Sequence, residues 1–190
     1  MSWDWGPEGP PPEAYERVTD PERFRGLHRA ARELLDDLEA RFEVDREQFL
    51  DHTRPSGPEP GERLVPRTPG ASPLAVTYAE SPGLLIYTGH QRRVAHIPSC
   101  ACDACDETIE TCLEQLPELV EPVVAGTFGE SVVIEDGRWY HHVWRTWSAG
   151  RGSGAGPVDD VEADALLQLM PDGEATWQPW ALRSGSTTAS

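Results

Sequence analysis

The sequence predicts an α+β domain: a mostly antiparallel sheet of about six or seven strands, with an N-terminal helix and a central helix packed against it. Three observations carry this. Apolar residues from Phe24 to Phe42 recur mostly three and four apart, the period of a helix with one buried face. Short β-prone segments flank Gly89-His90 and Asp136-Gly137, and turn chemistry between such segments marks antiparallel hairpins. The order of periodic segments is helix, meander, helix, hairpin, helix, strand.

Residues 1–12, with Trp3, Trp5 and four prolines, are expected to be a disordered tail, and 184–190 a second one; the domain is 13–183. The first helix is predicted to begin at Thr19-Asp20-Pro21-Glu22, where Thr19 or Asp20 caps and Glu22 closes a capping box. Its inner face is Phe24, Leu27, Ala31, Leu34, Leu35, Leu38 and Phe42. Residues 52–60 read as a loop, followed by strands at about 61–67, 74–80, 83–88 and 91–97. Gly89-His90 suits a two-residue type II′ turn, which sets Leu85 opposite Val94 and Ile86 opposite Arg93. Val94 and His96 then share one face, and Ala95 and Ile97 the other.

Asp103 or Asp106 is positioned to cap a second helix reaching about residue 125, with Cys105, Ile109, Cys112, Leu116 and Val120 on its apolar side. Pro117 and Pro122 should kink or split it. Strands near 129–135 and 138–147 follow, then a flexible glycine-rich loop at 149–157, a short helix near 160–170 and a last strand near 174–182.

Composition bounds the function. A single domain of this length buries about 70% of its unfolded surface, so the four cysteines are not needed as staples. The formal net charge of −17 argues against nucleic acid and anionic membranes and suits a basic partner. No apolar run approaches the ~20 residues of a membrane span. The first residues show neither a basic segment nor an apolar run, so a cytoplasmic protein with reduced thiols is expected. The chain has no lysine and no asparagine. Both have AT-rich codons, so this composition fits a GC-rich source.

The feature closest to specific chemistry is Cys100-Ala-Cys102-Asp-Ala-Cys105, with His96 upstream and Cys112 downstream. Helical spacing puts Cys105 and Cys112 ~10 Å apart, too far for a disulfide. Cys112 falls on the apolar stripe and is assigned to the core. The candidate metal ligands are therefore Cys100, Cys102, Cys105 and His96, a set suited to one structural zinc. If Ala95 and Ile97 face the core, His96 points away, and a fourth ligand has to come from His141 or His142. Three other readings compete, one of them a catalytic thiol, for which His96 is the one acid–base partner in view. Cys102-Asp-Ala-Cys105 at a helix start resembles a redox pair, though a hairpin precedes it rather than a βαβ unit. Alternatively, these are reduced cysteines at a tight corner where small residues fit.

A second candidate site is a tryptophan-lined cleft in the C-terminal strands, with His142, Trp144, Arg145 and Trp180 as its residues. The glycine-rich stretch lacks the strand-then-helix setting of a dinucleotide fingerprint, and a chain without lysine has no Walker motif. No Gly-x-Ser-x-Gly elbow is present. Asp36-Asp37 and Asp159-Asp160 read as solvation and capping.

The segment Tyr15-Glu-Arg-Val-Thr-Asp-Pro-Glu-Arg-Phe24, the strand after Pro82-Gly83-Leu84 and the run from Cys100 to Glu107 together resemble an uncharacterised domain family of actinobacterial, Streptomyces-type genomes. The resemblance covers most of 14–183 and implies no activity. The expectation is a non-enzymatic, partner-binding cytoplasmic domain with a cysteine-rich corner. Two alternatives stand beside it: a small-molecule-binding protein or enzyme using the tryptophan cleft, and an acidic immunity- or inhibitor-type protein that neutralises a basic partner.

Overall fold

The stripe predicted for the first helix is buried as expected. Helix α1 (Gly26–Arg41) presents Leu27, Ala31, Leu35 and Leu38 to the core, with Leu34 partly covered. Burying each such leucine stabilises the fold by about 1.5–3 kcal/mol. The computed structural model describes residues 5–53, 55, 57–90, 92–105 and 107–184, with 92–94 as backbone alone. Residues 1–4 and 185–190 of the expected tails, and the cap expected at Asp106, lie outside the described residues. Within the first tail, Gly6–Glu8 form a 3-10 turn.

The start of α1 differs from expectation. Pro21–Phe24 form a 3-10 turn, and α1 has no side-chain cap. Thr19 is engaged elsewhere, since its N–H and its hydroxyl both donate to Asp103, at 2.9 and 2.6 Å.

The single sheet expected is two sheets. The first is a five-stranded antiparallel meander of β1 (Val44–Asp51), β2 (Glu59–Pro66), β3 (Leu74–Ala79), β4 (Gly83–Thr88) and β5 (Arg92–Ile97), in that spatial order. Strand β1 escapes sequence reading because VDREQFLD is mostly charged. It is an edge strand whose charges pair across to β2: Arg63 with Glu47 at 2.5 Å, and Arg67, just past β2, with Asp45 at 2.6 Å. Exposed pairs of this kind stabilise little, but charges on an edge also deter other strands from adding to it.

The β4–β5 connection does not close in the register expected of a two-residue turn. Thr88 pairs with Arg92, a bulge follows at Ile86/Tyr87, and Leu85 faces His96 while Ile86 faces Ala95. The predicted pairings with Val94 and Arg93 are thus displaced. The turn is pinned from outside: Gly89 N–H donates to Ser72 Oγ at 2.8 Å, and His90 N–H to Glu130 at 3.1 Å. Gly89 takes φ +61°, where glycine is at ease. Ala95 and Ile97 do face the helices, which leaves His96 on the far face with Leu85.

Helix α2 (Ile109–Ala125) is continuous through Pro117 and Pro122. Its buried face of Cys112, Leu116, Leu119, Val120 and Val123 joins the α1 core and offsets the cost of the prolines. Its cap is Thr108, in a reciprocal box with Thr111, not Asp103. Cys105 consequently lies in the turn before the helix, not on its stripe.

The second sheet has the order β8-β7-β6-β9, from β6 (Phe128–Glu135), β7 (Arg138–Trp147), β8 (Gly150–Val158) and the short β9 (Glu174–Thr176). The β6–β7 turn at Asp136-Gly137 has φ of +48° and +77°, as the dipeptide predicts. The glycine-rich segment expected as a loop is strand β8. It pairs with β7 from Trp139↔Val158 to Trp147↔Gly150, and the Trp147 indole lies close above Gly150 and Gly152, where a side chain would crowd it. Helix α3 (Asp160–Leu169), capped by Asp159 through Glu162 N–H, gives this sheet a small core of Val132, Ala163, Leu166 and Met170. Helix α1 packs on the first sheet and α3 on the second, while α2 lies between them against α1, β6 and β7. Beyond β9 the last strand is reduced to isolated bridges, Phe42↔Leu182 and Ala71↔Gln178.

The sheets meet at a buried carboxylate. Glu130 on β6 is 1% exposed. Its Oε1 lies 2.5 Å from His90 Nδ1 on the β4–β5 turn, and its Oε2 lies 2.9 Å from His141 Nε2 on β7. Trp177 packs beside it, 4.9 Å from His90 and stacked on Phe128.

Candidate metal centre at the cysteine corner

Between β5 and α2 the chain makes a tight corner that carries three thiols. The sulfurs of Cys100, Cys102 and Cys105 lie within 4.8 Å of one another; Cys102 is buried, and the other two are exposed. Two sets of contacts shape the corner. From below, the Glu107 carboxylate accepts three backbone N–H groups, from Ser99 and Cys100 at 2.9 Å each and Ala101 at 3.3 Å. Burial acts to raise the Glu107 pKa, but the N–H groups of Cys100, Ser99 and Ala101 outweigh it and the net shift is downward. Ala101 takes φ +62°, and its carbonyl accepts from Arg23 at 3.1 Å.

From above, the N-terminal segment clasps the corner. Asp103 N–H donates to Arg17 O at 2.9 Å and Ala104 N–H to Ala14 O at 3.2 Å. The Asp103 carboxylate receives Arg17 Nε, Thr19 N–H and the Thr19 hydroxyl. The Thr19 hydroxyl first, then the Arg17 guanidinium, hold its pKa down to about 2. Asp103 is covered from solvent, yet only by this thin segment at the edge of the fold.

Charge is shared among the sulfurs. Hydrogen bonds from Cys100 and Cys105, with the backbone N–H groups of Cys105 and Ala104, lower the Cys102 pKa against its burial. The same neighbours, Cys102 first, push Cys105 up to about 12. One thiolate is therefore favoured and a second is opposed, unless a cation arrives to neutralise them. Tetrahedral zinc bound through sulfur at ~2.3 Å needs sulfurs about 3.8 Å apart, so the cluster fits a metal after a small contraction.

His96 is not in the converging set. Its Nε2 lies over Gly83 of β4, on the far face of the sheet. His141 is held by Glu130. His142 is 3.0 Å from Glu135 Oε1, without hydrogen-bond alignment. Cys112 is fully buried, and burial pushes its thiol up to about 11. The redox reading loses the helix end as its source of thiolate stabilisation, because α2 begins at Ile109; the lowered Cys102 pKa comes from the neighbouring thiols and N–H groups instead.

The four residues of the tryptophan cleft are not brought together. Trp180 is in the main core, edge-on to Phe42 at 5.8 Å, with its Nε1 donating to Ser72 O. Trp144 and His142 lie on the outer face of the second sheet, Trp144 flat over Gly129. Arg145 points to the opposite face, beside α2.

Sequence reasoning missed Glu107, the Arg17–Thr19 clasp and the Glu130 junction. Only Glu130 left a local signal, a single acid among the β-prone residues of 128–134. Buried carboxylates need partners.

Fold and site define a two-sheet α+β protein with a preorganised three-thiol corner. The chain belongs to the family of unknown function DUF6226, whose profile matches residues 1–184. No curated protein and no solved structure matches it. Among the described residues, no helix is long and apolar enough to cross a membrane.

Proposed function

We propose that the cysteine corner is a structural zinc site built from Cys100, Cys102 and Cys105, in a non-enzymatic protein that acts by binding a partner. The convergence of three sulfurs within 4.8 Å carries this reading. The clasp gives the metal a structural task, since a corner tightened by zinc offers the N-terminal segment a fixed surface. The fourth coordination position falls to water or to a side chain of the partner, because Cys100 and Cys105 are exposed. A net charge of −17 favours a basic partner surface. Four free cysteines suit the reducing cytoplasm, and the absence of lysine and asparagine supports an actinobacterial source.

Metal analysis with thiol counting on protein purified under reducing conditions tests the site. One equivalent of zinc, lost in Cys102→Ser, is expected. Metal-free protein that takes up no added zinc would end the proposal.

A further inference from the structure

A second site lies between the two sheets, on the other side of the loop that leads into the corner. A cleft of about 350 Å³ is bounded by Ala95, His96 and Ser99 from β5 and its exit, by Gln115, Glu118 and Leu119 from α2, and by Arg145 from β7. Its volume is at the lower end of small-molecule sites, ~300–1,000 Å³.

Arg145 is the unusual group. Eight described arginines have a carboxylate within 4.0 Å; of the others, Arg23 and Arg183 donate to backbone carbonyls, and Arg138 and Arg151 are exposed. Arg145 has no such carboxylate among the described residues, although the chain has 33 acids against 16 basic residues. Its Nε is inaccessible and has no hydrogen-bond acceptor among the described residues. Burial lowers its pKa, and Glu118 opposes that shift from a distance. On one side its β8 partner is Gly152, whose face the Trp147 indole covers. The nearest ring, Trp147, is 6.0 Å from the guanidinium carbon.

A half-buried guanidinium without an acceptor is a site for a carboxylate, which it can grip with two parallel N–H bonds. Glu118 narrows the choice. Lining the same cleft, it repels a dianion such as phosphate and favours a ligand that also carries a cation. Gln115 and Ser99 add neutral polar groups, and Ala95 and Leu119 leave room for only a small apolar part. We propose that this cleft binds a small zwitterion, a free α-amino acid, with its carboxylate on Arg145 and its ammonium towards Glu118.

The test uses the full chain, with glycine, alanine, serine and glutamine as ligands, and acetate, methylammonium and inorganic phosphate as controls, followed by calorimetry and thermal shift. At least one amino acid should bind saturably, and more tightly than each control by about 10-fold, because only the zwitterion engages both charges. Arg145→Gln and Glu118→Gln should each weaken it about 10-fold or more, with circular dichroism and zinc content unchanged. Glu118 is on the exposed side of α2, so E118Q remains informative if R145Q folds poorly. Binding of acetate or phosphate more tightly than every amino acid, an unchanged affinity in E118Q, or no binding by any of the four amino acids would overturn the proposal.

Discussion

Replacing Glu107 by alanine removes a side chain that organises the cysteine corner from below without touching a sulfur. Its carboxylate accepts three backbone N–H groups, at 2.9, 2.9 and 3.3 Å. A hydrogen bond to a charged group contributes about 1.5–3 kcal/mol when buried. These N–H groups are near the surface, so water replaces much of the loss, leaving about 0.5–1 kcal/mol each. The sum, about 1.5–3 kcal/mol, converts to roughly 10- to 100-fold in affinity if the loop must be reordered to bind metal. Mutations that remove the supports of metal ligands cost the same range. Competition titration against a chromophoric zinc chelator measures it directly. Glu107→Gln, which keeps one acceptor oxygen, should fall between wild type and Glu107→Ala. If Glu107→Ala binds zinc within about twofold of wild type while Cys102→Ser abolishes binding, the argument that this carboxylate preorganises the corner is wrong.

Glu130→Ala leaves two imidazoles and a backbone N–H facing an empty buried space, and breaking a buried pair of this kind should cost about 3–5 kcal/mol. In differential scanning calorimetry the melting temperature should drop by roughly 6–20 °C, and a drop under 2 °C would contradict the role given to this junction. Asp51 is buried and accepts from Tyr87, Thr77 and Thr53. Burial acts to raise its pKa, but these bonds hold it below the usual carboxylate value. Its contribution is therefore present above the unfolded pKa near ~3.9 and is lost as pH falls through the lower folded value. Urea midpoints of the wild type should decline below about pH 4 more steeply than those of Asp51→Asn, and parallel curves would refute the assignment.

How much of this was legible depends on the range of the interactions. The α1 stripe, the Asp136-Gly137 turn and the assignment of Cys112 to the core follow from spacings within one turn or one strand. The cluster of three thiols is equally local. What could not be read are pairings that span the chain. Strand β1 looks like a charged linker until β2 supplies the opposite charges. Strand β8 looks like a flexible loop until the Trp147 indole covers its glycines. Thr19 and Asp103 each look like a helix cap, and each is instead occupied by the other, 84 residues away. Both caps were predicted correctly as chemistry and wrongly as place, because a side chain that can cap can equally hold a distant segment.

Glu107 also ties the corner to the cleft. One of its oxygens holds the N–H of Ser99, which lines the cleft, and the other holds that of Cys100, which carries one of the three converging thiols. The two sites thus share a single short loop hung on one carboxylate. A metal that fixes Cys100 fixes the position of Ser99 with it, and an amino acid that orders Ser99 orders Cys100. Whatever factor zinc exerts on amino-acid affinity, the amino acid must exert on zinc, because the coupling is one free energy seen from both ends. A structural metal at the corner would have no need of a half-buried arginine without a carboxylate partner across this loop, whereas binding in the cleft would use a corner rigid enough for the cleft wall to be felt by the exposed clasp.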